Sequence, residues 1–261
     1  MINYDCTYRR NKIVIKPGGR FDSLHTAETT QKYQLGTILE LDDGTGRKFR
    51  YAKAGAAALS PHLMGVAAKI DAQQLATVQT AYGASEGENV FDILATTGHT
   101  ITDGELKDGW LLVNDGGDAM GDLYLINNNK FTTDDTVIQI ELAELLRNDI
   151  LATDDLSFFK NPCLDVIVAP TTQTNGGGAV GVPRCTVPIS SYYWAQFRGY
   201  AAMILDTTDT VVVGEPCGRA GTLDVAGCVG LVANDGTDQV WGVCVYASTN
   251  AEAIIIDLML P

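Results

Sequence analysis

Apolar and polar residues alternate with a period of two over much of this chain, a spacing that suits strands with one wet face. Leu39 and Leu41 alternate with Glu40 and Asp42, the turn-forming run Asp43-Gly44-Thr45-Gly46 follows, and Phe49 and Tyr51 alternate with Lys48, Arg50 and Ala52. This predicts a β-hairpin. Ile138, Ile140 and Leu142 alternate with Gln139 and Glu141 in the same way. Near the end of the chain, Trp241, Val243 and Val245 predict one strand face, and Ile256, Leu258 and Leu260 predict another. The short turn between them is Ala247–Ala251. Asp-Gly pairs at 103, 108, 115 and 235 supply turn chemistry elsewhere.

Helical spacing is scarce. Leu75, Val78 and Tyr82 follow Asp71 at intervals of three and four, with Gly83 as a stop, and predict one helix. Glu141–Asn148 predicts a helical turn in competition with the strand before it, and Thr171–Pro188, rich in Thr, Gly and Pro, reads as a loop or linker. The expected fold is therefore mainly β: a barrel or sandwich with an inserted β-rich subdomain and an extended N-terminal arm. The expected boundaries are 1–30 for the arm, 31–83 and 164–261 for the body, and 84–163 for the insertion.

Charge is unevenly spread. The whole chain carries −14, but residues 1–53 carry +4 and the remainder −18. An acidic body repels nucleic acid, so no nucleic-acid partner is expected. The longest apolar run, counting glycine, is Val225 to Ala233, far short of the ~20 residues of a membrane helix, and the first residues show no apolar signal region. The six cysteines, at 6, 163, 185, 217, 228 and 244, lie too far apart for CxxC motifs and read as buried thiols made in a reducing cytosol.

Motifs that carry chemistry match only as letters. Gly83-Ala84-Ser85-Glu86-Gly87 fits GxSxG, but the chemistry needs a strand before the serine, a helix after it, and then an acid and a histidine. Only His99 follows, after too short a stretch. Gly176–Gly181 fits GxGxxG, yet Pro183 and Pro188 stand where a helix must start. His25, His62 and His99 form no zinc pattern, and Asp115, Asp118 and Asp122 lack EF-hand spacing and read as a solvated turn. No enzyme activity, no cofactor and no metal are expected.

Four stretches in order carry a resemblance. They are Lys48-Phe49-Arg50-Tyr51-Ala52-Lys53-Ala54-Gly55; Gly109-Trp110-Leu111-Leu112-Val113-Asn114-Asp115-Gly116; Lys160-Asn161-Pro162 followed by Val166–Pro170 and Val180–Pro183; and Tyr192–Gly199. With the ending Gly242–Val245 through Ile256–Leu258, the chain resembles virion structural proteins of marine and environmental tailed bacteriophages, of the capsid-decoration (cement) kind. The resemblance spans most of residues 35–261. It implies a virion location on the outer capsid surface after synthesis in the bacterial host cytoplasm. The implied partners are the major capsid protein and further copies of this chain, a trimer suiting threefold positions of an icosahedral shell. No membrane partner is implied, and no catalytic residues carry over. A tail- or fibre-associated protein binding host glycan is the alternative.

The charge split points to an anchor. Arg9, Arg10, Lys12 and Lys16 surround the apolar run Ile13-Val14-Ile15, and Pro17-Gly18-Gly19 follows. This predicts an arm that adds a strand to a neighbouring subunit, making Arg9, Arg10, Lys12, Ile13, Val14, Ile15 and Lys16 the candidate interface.

Overall fold

The computed structural model describes residues 6–9, 12–15, 22–68, 78–80, 83–94, 101–115, 117–131, 137–171, 177–219, 224–232, 239–249 and 251–261. It is mainly β, with two 3-10 turns and no α-helix among the described residues. The strands are, in chain order, β1 (Cys6–Arg9), β2 (Lys12–Ile15), β3 (Ile38–Leu41), β4 (Lys48–Lys53), β5 (Gly65–Val66), β6 (Val78–Thr80), β7 (Val90–Leu94), β8 (Trp110–Val113) and β9 (Leu123–Phe131). They continue as β10 (Val137–Leu142), β11 (Asp155–Phe159), β12 (Ile167–Val168), β13 (Ala179–Pro183), β14 (Tyr192–Ile204), β15 (Pro216–Arg219), β16 (Gly230–Leu231), β17 (Gln239–Tyr246) and β18 (Ala253–Met259).

The chain divides into two compact units, 1–69 with 162–261, and 70–161. The division falls before β6, because Val78 and Gln79 pair with β11 and Gln79 and Thr80 with β7. The sequence reading placed it at 84. The helix expected from Leu75, Val78 and Tyr82 does not form at Val78, which lies in β6; Leu75 and Tyr82 lie outside the described residues. Glu141 and Leu142 end β10 and no helix follows them, since Ala143 N–H closes on the Leu125 carbonyl instead of starting a helical turn.

In the larger unit the sheet runs β1-β2-β3-β4-β14-β18-β17-β15-β16, an open path rather than a closed barrel. Among the named strands only β2 and β3 pair parallel. The expected hairpin is present as β3 and β4, and Asp43 closes its turn by accepting from the Thr45 N–H at 3.0 Å and from Arg47 at 2.9 Å. Beside β14, β13 also pairs with β5, which pairs with β12. All five residues of β13 are buried, so the Gly- and Pro-rich stretch read as a loop contains an interior strand. Burial on both faces erases alternation, and composition alone then misleads.

Two buried clusters fill this unit. One joins Leu39, Phe49, Leu59, Val187 and Tyr193 to an aromatic group in which Tyr51 stacks on Tyr192 at 5.8 Å and meets Trp194 at 5.1 Å. The other gathers Met64, Phe197, Met203, Trp241, Ile254, Ile256 and Leu258. On β18 the expected alternation holds, since Ile254, Ile256 and Leu258 all face the core. On β17 it does not. A register shift against β15 and another against β18 turn Trp241 and Cys244 inward, and Val243 is only half-buried. Of the six cysteines, 163, 185, 217, 228 and 244 are free thiols. Burial pushes Cys163 and Cys228 up to about 11 and Cys217 to about 12, so these groups stay protonated and unreactive near neutrality.

The smaller unit is a five-stranded antiparallel sheet in the order β7-β10-β9-β8-β11, and the three-residue β6 joins its two edges. Its core holds Ile93, Leu106, Leu111, Tyr124, Ile138, Ile140 and Phe158. Asn129 is buried and satisfied, accepting from the Leu106 N–H at 2.8 Å and donating to the Thr102 carbonyl at 2.9 Å.

Candidate functional site

The segment expected to be a free arm is, where described, part of the sheet. Lys12–Ile15 pairs in register with Ile38–Leu41, and Ile13 and Ile15 are buried in the larger unit's core. Two isoleucines on one strand face gain more from this chain's own core than from water, so the strand addition foreseen for a neighbour is made within the chain. Lys12 pairs with Glu40 at 2.5 Å and Val14 is half-buried. Arg9 ends β1, while Arg10 and Lys16 lie outside the described residues. Beyond Gly19, Glu28 bridges to Tyr192, which also places the end of the supposed arm on the body.

The Lys12 hydrogen bond holds the Glu40 carboxyl below its usual range, and Lys48, 3.5 Å from Glu40, adds to this. A carboxyl whose pKa is lower folded than unfolded stabilises above the unfolded value and loses that contribution as pH falls through the folded one. The protection factors of the β2 amides, with the intrinsic exchange rate at each pH divided out, should therefore fall from pH 5 to pH 3. Glu40→Gln should remove that fall; an unchanged pH response in the variant would show that Glu40 does not hold β2.

The motifs discounted in the sequence are also ordinary structure. Ser85 is exposed in a turn, its N–H donating to the Glu88 carboxylate at 3.0 Å and its carbonyl accepting from the Glu88 N–H. His99 lies outside the described residues. Gly177 and Gly178 lead into β13 rather than a helix. Asp122 accepts from the Tyr124 hydroxyl at 2.7 Å and from Asn148 at 3.0 Å, while Asp115 and Asp118 are exposed. Among the described residues no three His, Cys, Asp or Glu side chains gather as a metal-ligand set.

What does stand out is the outer face of β14, β18 and β17. Across it Arg198 lies opposite Met259, Tyr200 opposite Asp257, and Ala202 opposite Ile255. On the next strand Val243 lies opposite Asp257 and Tyr246 opposite Ile255. Tyr200 is 59% exposed, Tyr246 57% and Met259 54%. At the Arg198 corner the face runs into a groove of about 610 Å³, lined by Gly44–Gly46, Lys48, Arg198, Tyr200, Asp257 and Met259.

A kink in β14 aims these side chains. The register slips between Gln196 and Arg198, and Gly199 adopts φ +77°, where a Cβ would lie 3.1 Å from the Arg47 backbone. Gln196 is buried, and its amide nitrogen donates to the carbonyls of Arg198 at 3.1 Å and Tyr200 at 2.9 Å. Such bulges re-aim side chains beside a site. Replacing Gln196 with leucine keeps the volume but strips these carbonyls of their donor, so a loss of about 2 kcal/mol is expected by chemical denaturation. A loss below about 0.5 kcal/mol would show that water serves the carbonyls equally well.

The cations here differ in how far they are neutralised. Arg47 pairs with Asp43 at 2.9 Å, and Lys48 shares Glu40 with Lys12. Arg50 lies over the Phe197 ring at 4.2 Å and donates to the Pro261 carbonyl; burial lowers its pKa. Arg198 reaches the Leu260 carbonyl through Nε at 3.4 Å and has no carboxylate at ion-pair distance among the described residues. Sequence reasoning missed this face. One signal was present: Ile254–Ile256 and Leu258–Leu260 make β18 apolar on both sides.

Comparison of the chain with protein-family models, with curated proteins and with solved structures finds no match.

Proposed function

We propose that this chain is a non-enzymatic structural protein of a tailed-bacteriophage particle that decorates the outer surface of the head. It binds the major capsid protein lattice and stiffens it by bridging neighbouring subunits. The observation that carries this reading is the ordered, exposed, largely apolar face of β14, β18 and β17, a surface suited to another protein. The resemblance of the ordered stretches Lys48–Gly55, Gly109–Gly116, Lys160–Pro162 and Tyr192–Gly199 to phage decoration proteins supports it. In this reading the open sheet of the larger unit packs as a sandwich, and copies associate as a trimer. Many modest contacts engaged together then resist genome pressure through avidity. The glycan-binding alternative is not preferred, because a sugar groove needs clustered aromatics and this groove is lined by one, Tyr200.

The test adds purified protein to head shells of the source phage stripped of their decoration, followed by electron cryomicroscopy at side-chain resolution. Density for this chain on the outer shell is the expected result. Absence of binding, or density confined to the tail, would overturn the reading.

A further inference from the structure

We infer that the outer face of β14, β18 and β17, with the groove at its Arg198 corner, receives an extended segment of a partner protein that carries apolar side chains and a carboxylate-bearing end. The inference rests on the reading of this chain as a binder of another protein's lattice, and adds which surface binds and what the partner presents.

The first argument is the pattern of β18. An antiparallel strand with one face in water alternates apolar and polar, whereas a strand covered on both faces is apolar throughout. Ile254, Ile256 and Leu258 fill the core, yet Ile255 and Met259 point outward beside Tyr200 and Tyr246. The paired positions of this outer face carry two charges, Arg198 and Asp257. Asp257 apart, the outward residues of the strand have the apolar composition of one with a cover on each side, and the protein's own described residues cover only one.

The second argument is charge. A molecule of net charge −14 holds Arg198 without a carboxylate at ion-pair distance among the described residues, next to Lys48 at the mouth of a groove. A carboxylate entering there gains charge-assisted hydrogen bonds from a guanidinium that has few to lose. Such complementarity sets orientation and partner choice more than raw affinity.

The third argument is size. Three strands at ~4.8 Å spacing give a face roughly 15 Å wide, and seven residues of β18 make it roughly 20 Å long. That is well under the ~800 Å² that each partner in a stable globular complex buries, but it accommodates one extended segment. A second copy would bring the same cationic corner and another charge of −14.

The probes are three fluorescein-labelled octapeptides, alternating Glu with Leu, Lys with Leu, and Glu with Ser, titrated into the purified chain by anisotropy. The Glu/Leu peptide should bind saturably, and the other two roughly tenfold more weakly or worse. The variant Arg198→Gln, and the double variant Tyr200→Ser with Met259→Ser, should each weaken the Glu/Leu peptide by roughly tenfold or more while keeping the wild-type melting profile. Absent binding, equal binding of all three peptides, or indifference to both variants would overturn the inference. So would self-association in sedimentation velocity that Tyr200→Ser with Met259→Ser abolishes, since a second copy would then occupy the face. Wild-type protein that binds the Glu/Leu peptide but not head shells overturns the capsid reading and keeps the surface. Variants that bind shells as well as wild type overturn the surface and keep the capsid reading.

Discussion

Replacing Gly242 with alanine is expected to destabilise the larger unit by about 3 kcal/mol, at the upper end of what inserting a methyl group into packed structure costs. Gly242 sits on β17 between two register shifts, one against β15 and one against β18. Those shifts bring the backbones so close that a Cβ on Gly242 overlaps the Asp257 carbonyl oxygen and lies 2.7 Å from Ile256 Cγ2. The obstacle is backbone of the neighbouring strand, so no rotamer change relieves it. For a unit of this size the melting temperature should fall by roughly 6–12 °C. Gly178→Ala, where an added Cβ meets nothing within 4 Å, is the control and should stay within about 0.5 kcal/mol of wild type. If the two variants melt together, β17 does not approach β18 as closely as the structure has it.

The second large effect is expected in the smaller unit. Phe158 on β11 lies opposite Leu111 on β8 and is fully buried in the core that holds Ile93, Tyr124 and Ile138. Phe158→Ala removes a whole aromatic ring from a closed core and should cost about 3–5 kcal/mol. Phe159, the next residue, is half-buried on the other face of the strand, and Phe159→Ala should cost roughly 1 kcal/mol or less. Hydrogen exchange followed by mass spectrometry separates the outcomes. Protection should drop across β8, β9, β10 and β11 in Phe158→Ala, while β14 and β18, which belong to a different core, keep theirs. Equal effects of the two substitutions would mean that the register of β11 is wrong.

These experiments probe what could and could not be read beforehand. The β3–β4 hairpin was legible because one face of each strand is wet and its turn uses Asp43 and Gly44. The inward face of β18 was legible for the same reason. β13 was not, because its residues are buried all round and its glycines and proline imitate a loop. β17 was half legible: Trp241 was placed, but the register shift against β15 beside Trp241, after which Cys244 faces inward, leaves no mark in the spacing of apolar residues. That Lys12–Ile15 is a strand of the body rather than a free arm was hidden for a plainer cause. Basic residues around Ile13-Val14-Ile15 say that the strand's flanks are charged, and nothing about which sheet the strand joins.

The sequence by itself determined the class of structure, since period-two alternation and turn chemistry act between near neighbours and each strand declares its own wet face. Only the tertiary structure decided which strands lie side by side, and with that which surface is left exposed. Tyr200, Asp257 and Tyr246 stand far apart along the chain and meet only through the β14-β18-β17 register. Arg198 and Lys48 line one groove because they pair across β14 and β4 while Gln196 and Gly199 kink the strand between them and Tyr200. Register comes from long-range packing of two faces at once, and a one-residue slip would send every one of these side chains to the other side.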